Sequence, residues 1–314
     1  MEYVQQMMIE PQMTVCRLVE EMDGCGVLGA GRVARAVDVL VEMFSDQEYT
    51  NILSLAGPMV PGGLRKIINL LIRRGYVNAI VTSGANIVHD IIEAFGYRGI
   101  RGTYRGDDVA LRAEGLGRAG DIYFEQKGFE ALEREVYKIF DGIPDEKKGE
   151  IAFYELLDEI GKVLDDEESI LRRASVCNVP IFSPGIMDSM LGLHIWTYNQ
   201  LKKLRVDPVL DLNRLNDIMS SAKKVGGIIL GGGVPKHHVL GASIFREGVN
   251  AAVQITLDRH EGGSLSGAPL EEAISWKKAR VGSRLASVIG DATIIFPIII
   301  AAAVEKLDVE QTNY

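Results

Sequence analysis

The sequence predicts an α/β fold, a doubly wound, mostly parallel, Rossmann-like sheet with helices on both faces. Three apolar runs carry this reading: NILSLAG (51–57), AIVTSGANI (79–87) and GGIILGGG (226–233). Each ends in small residues and leads through a glycine- or serine-containing turn into a helical pattern. Repetition of strand, tight turn and helix is the signature of parallel strands, which need a crossover to re-enter the sheet from the same end. Composition agrees, with 47% hydrophobic and 25% charged residues among 314, ordinary values for a globular protein with a sizeable core.

Taken in order, residues 1–45 are expected to be helical, with VARAVDVLVEMF (33–44) keeping apolar positions at helical spacing. The glycine cluster of GCGVLGAGR (24–32) superficially resembles a dinucleotide fingerprint. No strand precedes it, so it is assigned to a helix-entry turn. After strand 51–57 comes a helix over PMVPGGLRKIINLLIRRG (58–75), punctuated at its start by Pro61, Gly62 and Gly63. Strand 79–87 leads to the helix HDIIEAFG, which Gly96 ends. Residues 99–125 are turn-rich, with an edge strand at 121–124, and the charged helices of 126–176 cover the sheet. A second alternation follows: strand VPIFSPGIMDS (179–189), helix LGLHIWTYNQLKKL, strand PVLDL (208–212), helix 213–224 and strand GGIILGGGVPKHH (226–238). AAVQIT (251–256) is a strand, SGAPLEEAISWKKARVG (266–282) an amphipathic helix, ASVIGDAT (286–293) a strand, and the chain closes on a buried helix. One NAD-binding α/β domain over 1–314 is therefore expected, with 1–50 as a helical extension.

Charge and cysteines narrow the function. The balance of 34 basic against 43 acidic residues gives −9, which disfavours a nucleic acid bound through its phosphates and suits a cationic partner. Cys16, Cys25 and Cys177 are odd in number and lack CxxC spacing. That fits a reducing cytoplasm better than a disulfide framework or zinc ribbon. No signal peptide is visible, and the apolar run 292–304, broken by Pro297, is short of the ~20 residues of a membrane span. No metal is expected either, since His237 and His238 are adjacent and point apart, with no third ligand at suitable spacing.

Four strand ends terminate in small or polar residues: Ala56-Gly57, Ser83-Gly84, Ser183-Pro184 and Gly231-Gly232-Gly233. Glycine there lets a backbone approach a flat or phosphorylated ligand, and a following helix N-terminus favours anions. Asp188 and Asp291 each follow a strand, where a carboxylate takes a ribose hydroxyl or caps a helix. His237 stands where an imidazole acts as base or hydrogen-bond partner, or is a capping or partly exposed residue. Lys277 and Lys278 follow Trp276. An amine is a nucleophile only when its charged form is made less stable, by an apolar wall or a neighbouring cation. Trp276 offers the wall and Lys277 the cation; otherwise the pair is a solvated surface feature.

The segments FSPGIMDSMLG (182–192), IILGGGVPKHH (228–238), GGSLSGAPLEEAISWKKARV (262–281) and DATIIFP (291–297) together resemble the deoxyhypusine synthase family. LAGPMVPGGLRK and VTSGANIVHD resemble it too, in its archaeal style, so the likeness covers most of residues 50–300. It implies NAD-dependent transfer of the 4-aminobutyl group of spermidine, through an imine on an enzyme lysine, to a lysine of the hypusine-bearing translation factor 5A precursor. By the same resemblance Lys278 is the nucleophile and His237 acts at the substrate. Glu272 holds an ammonium end of the polyamine, Gly263 and Ser264 line its channel, and Trp276 walls it. Ser83, Gly84, Asp188, Gly232 and Asp291 bind NAD, with Gly57 and the turn up to Pro61 near its phosphates. A cytoplasmic homotetramer is implied as well. This sequence departs from the family at Lys277, where glycine is usual, and at Leu193 and Leu265, where some members carry polyamine-binding aspartates. The missing aspartates feed a second reading beside the first, a relative that passes the aminobutyl group to a small amine in a homospermidine- or agmatine-type reaction. A third is an NAD-binding protein without catalysis.

Overall fold

The computed structural model describes residues 2–312. The chain, expected above as one domain, divides into two compact units, one of residues 1–57, 76–81 and 214–314 and one of 58–75 and 82–213.

The first unit is built on helices α1 (Val15–Cys25) and α2 (Leu28–Ser45), strands β1 (Tyr49–Leu55), β2 (Ala79–Thr82) and β3 (Lys224–Leu230), helix α3 (Gly233–Ala242), strand β4 (Val249–Thr256), helix α4 (Glu272–Ser275), strand β5 (Ala279–Ile289) and helix α5 (Ala292–Thr312). Its strands lie in the order β5-β4-β3-β1-β2. The β1–β3, β3–β4 and β4–β5 pairs are all parallel. Helix α2 packs across β1, β4 and β5, α5 packs on α2 and β4, and α3 packs on β1 and β3. Strands covered on both faces read as continuous apolar runs, and Ile52, Leu53, Leu55, Ile228, Ile229, Leu230, Val253 and Ile255 are all buried. The mostly parallel α/β class expected from sequence is the one observed.

The glycine cluster of 24–32 is a helix junction, as expected. Gly26, with φ +67°, donates its N–H to the Met22 carbonyl and ends α1, and α2 begins at Leu28. Several elements differ from expectation: the strands expected over 79–87, 179–189 and 226–238 are strands only at Ala79–Thr82, Ile181–Phe182 and up to Leu230. PVLDL is not a strand: Asp207 Oδ1 accepts the Val209 N–H, and the chain turns through Pro208–Leu210 into the helix Asp211–Ser221. Proline at the first position of such a turn, behind an aspartate, starts a helix readily. The stretch 121–124 pairs within a separate antiparallel sheet of Ile100–Arg101, Leu116–Ala119 and Ile122–Glu125. Finally, only Glu272–Ser275 of the expected helix 266–282 is helical, and Ala279–Ile289 is the eleven-residue strand β5.

The second unit is mainly helical, with Arg65–Arg73, Gly84–Ala94, Gln126–Gly142, Phe153–Val163, Ile170–Val176 and Met190–Leu201 as its larger helices. Its buried polar centre is Asp90, which receives the Arg65 guanidinium at 2.6 Å. A second buried acid, Asp211, accepts the Tyr154 N–H at 3.0 Å at the start of Phe153–Val163. Burial outweighs the backbone hydrogen bonds and pushes this carboxyl up to about 7. A carboxyl that binds its proton more tightly folded than unfolded contributes stability in acid that is lost as pH rises through about 7. Asp211→Asn keeps an oxygen acceptor and removes the titration. Its stability relative to wild type should be higher at pH 8 than at pH 5 by on the order of 2–3 kcal/mol. Urea unfolding at both pH values checks this, and equal differences would mean that Asp211 titrates normally.

Among the described residues no helix is long and apolar enough to cross a membrane, and no group of three or more His, Cys, Asp or Glu is placed to hold a metal ion.

Candidate functional site

The strand order places β1 beside β3, although the chain proceeds from β1 to β2 on one side and from β3 to β4 on the other. Open α/β sheets bind ligands at such a reversal, beyond the carboxyl ends of the strands. Here those ends are Ala56-Gly57 and Gly231-Gly232. They approach closely: Ala56 donates its N–H to the Leu230 carbonyl at 2.9 Å. Gly231 has φ +72°, and a Cβ on it would stand 2.7 Å from the Ala56 carbonyl oxygen. A Cβ on Gly232 would stand 2.4 Å from Cα of Ser266. Both glycines are demanded by backbone packed against backbone at this point.

Helix α3 starts immediately after these glycines and brings Lys236 and His237 to a cavity of about 330 Å³. Leu265, Ala268, Pro269, Glu272, Ala273, Trp276 and Lys278 line it as well. Lys278, His237, Glu272 and Trp276, singled out from the sequence, thus line one cavity. Lys278 is half-buried, with Nζ 5.8 Å from the centroid of the Trp276 ring. Trp276 itself is 66% exposed, so the wall it offers is open on one side. His237 is exposed on α3 and His238 half-buried, with burial and the neighbouring His237 pushing the His238 imidazole down. Both lie on a helix, not on the extension of β3 expected from sequence.

Lys278 is placed by the way α4 ends. Lys278 donates its N–H to the Ala273 carbonyl at 2.9 Å and Lys277 donates to Ile274 at 3.0 Å, while Lys277 takes φ +57°. That pair of bonds around a left-handed residue is a Schellman motif, for which glycine is the favoured occupant. The local backbone thus explains why a glycine suits position 277, and here a lysine holds the same conformation. Lys277→Gly is expected to raise stability by about 1 kcal/mol, read as a higher thermal midpoint. A lower midpoint would show that the Lys277 side chain makes a stabilising contact.

Sequence reasoning missed Lys236. It is 1% exposed, and its Nζ donates to Gln254 Oε1 at 2.9 Å, the Leu265 carbonyl at 2.9 Å and the Ala268 carbonyl at 2.7 Å. Burial pushes the ammonium down to about 8, against the attraction of Glu272. Its signal was the spacing of Lys236, Val239 and Leu240, the buried face of α3.

The remaining candidates fall in two places. In the first unit, Gly57 lies at the end of β1 with φ +84°. Gly263 and Ser264 form an exposed turn whose Ser264 carbonyl accepts the Gly267 N–H at 3.1 Å. Asp291 caps α5, its Oδ1 accepting both the Thr293 N–H and the Thr293 hydroxyl at 2.8 Å. In the second unit, Pro61, Ser83, Gly84 and Asp188 gather about the start of helix Gly84–Ala94. Val60 donates its N–H to Asn86 Oδ1 at 3.1 Å. A Cβ on Gly84 would stand 2.5 Å from that of Ser189, next to the exposed Asp188. Ser83 makes no side-chain capping bond to this helix, and Ser183 Oγ is buried without a hydrogen-bond partner.

Fold and cavity together define a Rossmann-like α/β protein that offers an amine, an imidazole and a carboxylate beside its strand ends. A family model described as deoxyhypusine synthase matches residues 17–303. A Methanothermobacter thermautotrophicus protein named probable deoxyhypusine synthase is 51% identical over 304 residues, covering 97% of this chain and 98% of its own. A Methanopyrus kandleri protein of the same name is 43% identical, covering 93% and 94%. The chain belongs to the deoxyhypusine synthase family, and its named relatives support a transferase. A crystal structure of an Entamoeba histolytica protein described as a deoxyhypusine synthase shares the fold, with a TM-score of 0.64 at 22% identity over 91% of each chain.

Proposed function

We propose that the protein transfers the 4-aminobutyl group of spermidine, through an imine on Lys278, to a lysine of the hypusine-bearing translation factor 5A precursor, with NAD as cofactor. The observation that carries this reading is the half-buried Lys278 amine in one cavity with Trp276, Glu272 and His237, in a chain of this family. NAD, when bound, would supply the hydride acceptor for the oxidation of spermidine and the hydride donor for the closing reduction. The residues fit such a group. Ser83-Gly84 begins a helix that lacks a side-chain cap, which suits phosphate. Ser183 Oγ still has a bond to make. By the family resemblance Gly57, Gly232 and Asp291 of the first unit and Pro61 and Asp188 of the second have NAD-binding roles, Asp291 with the oxygen that does not cap α5.

The protein's own residues then do the following. The Lys278 amine adds through Nζ to the imine carbon of oxidised spermidine, and the carbon–nitrogen bond to the leaving 1,3-diaminopropane breaks. His237 supplies that amine's proton and later takes one back. Glu272 holds the far ammonium of the chain, fixing which carbon faces Lys278. The acceptor lysine amine adds to the same carbon, Lys278 leaves as an amine, and reduction closes the product. Gly263 and Ser264 edge the entrance. The same reading carries a cytoplasmic homotetramer, which light scattering tests as to assembly.

Incubation with NAD and labelled spermidine, then borohydride, should fix label on Lys278. Absence of label on the wild type would leave the reading of an NAD-binding protein without catalysis. A second enzymatic reading has one observation in its favour: Leu193 and Leu265 are exposed apolar residues where some relatives carry acids. Under it the aminobutyl group passes to a small amine. Label transfer to the translation factor precursor, compared with transfer to free putrescine or agmatine, separates the two.

A further inference from the structure

Lys236 is a buried cation without a carboxylate in hydrogen-bond contact. An ammonium has three N–H donors, and each here has one acceptor: Gln254 Oε1, the Leu265 carbonyl and the Ala268 carbonyl. Gln254, also buried, completes the arrangement by donating Nε2–H to the Gly231 carbonyl at 2.9 Å and the Ser266 carbonyl at 2.8 Å. Ser266 Oγ in turn accepts the Gly233 N–H at 2.8 Å. Segment 265–268 is thereby tied at every residue but Gly267 to the end of β3, to β4 and to the first turn of α3. Burying an ammonium is unfavourable unless its donors are all used, and an apolar side chain of similar length would fill the space without that penalty. What the lysine adds is direction: its donors fix two successive-turn carbonyls of a segment that has no strand or helix of its own. Leu265 and Ala268 from that segment line the same cavity as Lys278.

We propose that Lys236 is a positioning residue, a three-donor clip that holds segment 265–268 against the strand ends and so sets part of the wall of the cavity that Lys278 also lines. Its kinetic consequence rests on the function proposed above; its structural consequence does not.

Two variants test it, Lys236→Met, which has no donor, and Lys236→Gln, which keeps two. Hydrogen exchange on the full-length protein should show the Gly267 and Ala268 amides, both bonded to the Ser264 carbonyl, exchanging about tenfold faster or more in Lys236→Met. Amides within β3 and β4 should keep wild-type rates, and Lys236→Gln should fall between. In the labelling assay kcat should drop about tenfold or more while KM for spermidine stays within about threefold, as expected when orientation and not binding is lost. Unchanged exchange at 267 and 268 overturns the clip. So does acceleration spread equally over β3 and β4, which would make Lys236 an ordinary core residue, or unchanged kcat in a variant whose segment has loosened. If Lys236→Met does not fold, the same readings on Lys236→Gln decide. If the wild type takes no label, the proposed function fails, and exchange alone decides the clip.

Discussion

On the proposed function, Lys278→Ala should lose aminobutyl transfer by about three orders of magnitude or more and take no borohydride-fixed label, because the proposed covalent carrier is gone. Lys278→Arg is the sharper variant. A guanidinium keeps the positive charge and can lie over the Trp276 ring, yet it is never neutral at working pH and cannot form the imine. It should be as inactive as alanine if imine chemistry is the role, and partly active if charge is. Neither change should unfold the protein. Position 278 is held through its backbone, whose N–H donates to Ala273 and whose carbonyl accepts the Val249 N–H and the Ser243 hydroxyl, each at 3.0 Å or less. Circular dichroism and unfolding midpoints near wild type would confirm that activity is read on folded protein. Label appearing at Lys277 in the arginine variant would move the nucleophile by one residue.

Much of this site could be read from the chain alone, for a physical reason. Parallel strands buried on both faces leave uninterrupted apolar runs, and the turns that follow them need small residues, so β1, β2, β3 and their glycines announce themselves. The group Glu272, Trp276 and Lys278 lies within one short segment, so sequence proximity places it. Lys236 was illegible because its meaning lies in partners far along the chain: Gln254 and two carbonyls at 265 and 268. No local rule tells a buried lysine from a solvated one when the neighbours that satisfy it are distant.

The first part of strand β5, Ala279 to Leu285, failed for the opposite reason, while a strand was expected from Ala286. ARVGSRLASVI carries arginines and serines at spacings that a helix could also use. What decides is the parallel ladder with β4, in which Ala251 through Thr256 face Arg284 through Ile289. That ladder forms only because α4 stops at Lys277, and the stop depends on a left-handed lysine that composition would not select. The same turn that defeated the helical expectation is what delivers Lys278 to the cavity.

In the second unit, Asp90→Ala should destabilise the protein by about 3–5 kcal/mol. The carboxylate accepts from Arg65 Nε at 2.6 Å, Ser169 Oγ at 2.8 Å, the Ile170 N–H at 3.0 Å and the Leu171 N–H at 2.9 Å. Its removal leaves two backbone donors and a hydroxyl buried without that partner, and leaves Arg65 leaning on Asp166 at 2.7 Å. Arg65→Met should be milder, about 2–3 kcal/mol. In that variant Asp90 keeps three donors and sits at the N-terminus of helix Ile170–Val176, where the peptide dipoles favour a negative charge. Asp90 lies on helix Gly84–Ala94, whose first turn carries the Ser83-Gly84 candidate for NAD. Loosening its anchor should therefore weaken the proposed NAD binding in Asp90→Ala more than in Arg65→Met. Urea unfolding ranks the two variants, and NAD titration of each checks the link. If Arg65→Met were the more damaging, the guanidinium and not the carboxylate would be the centre on which these helices meet.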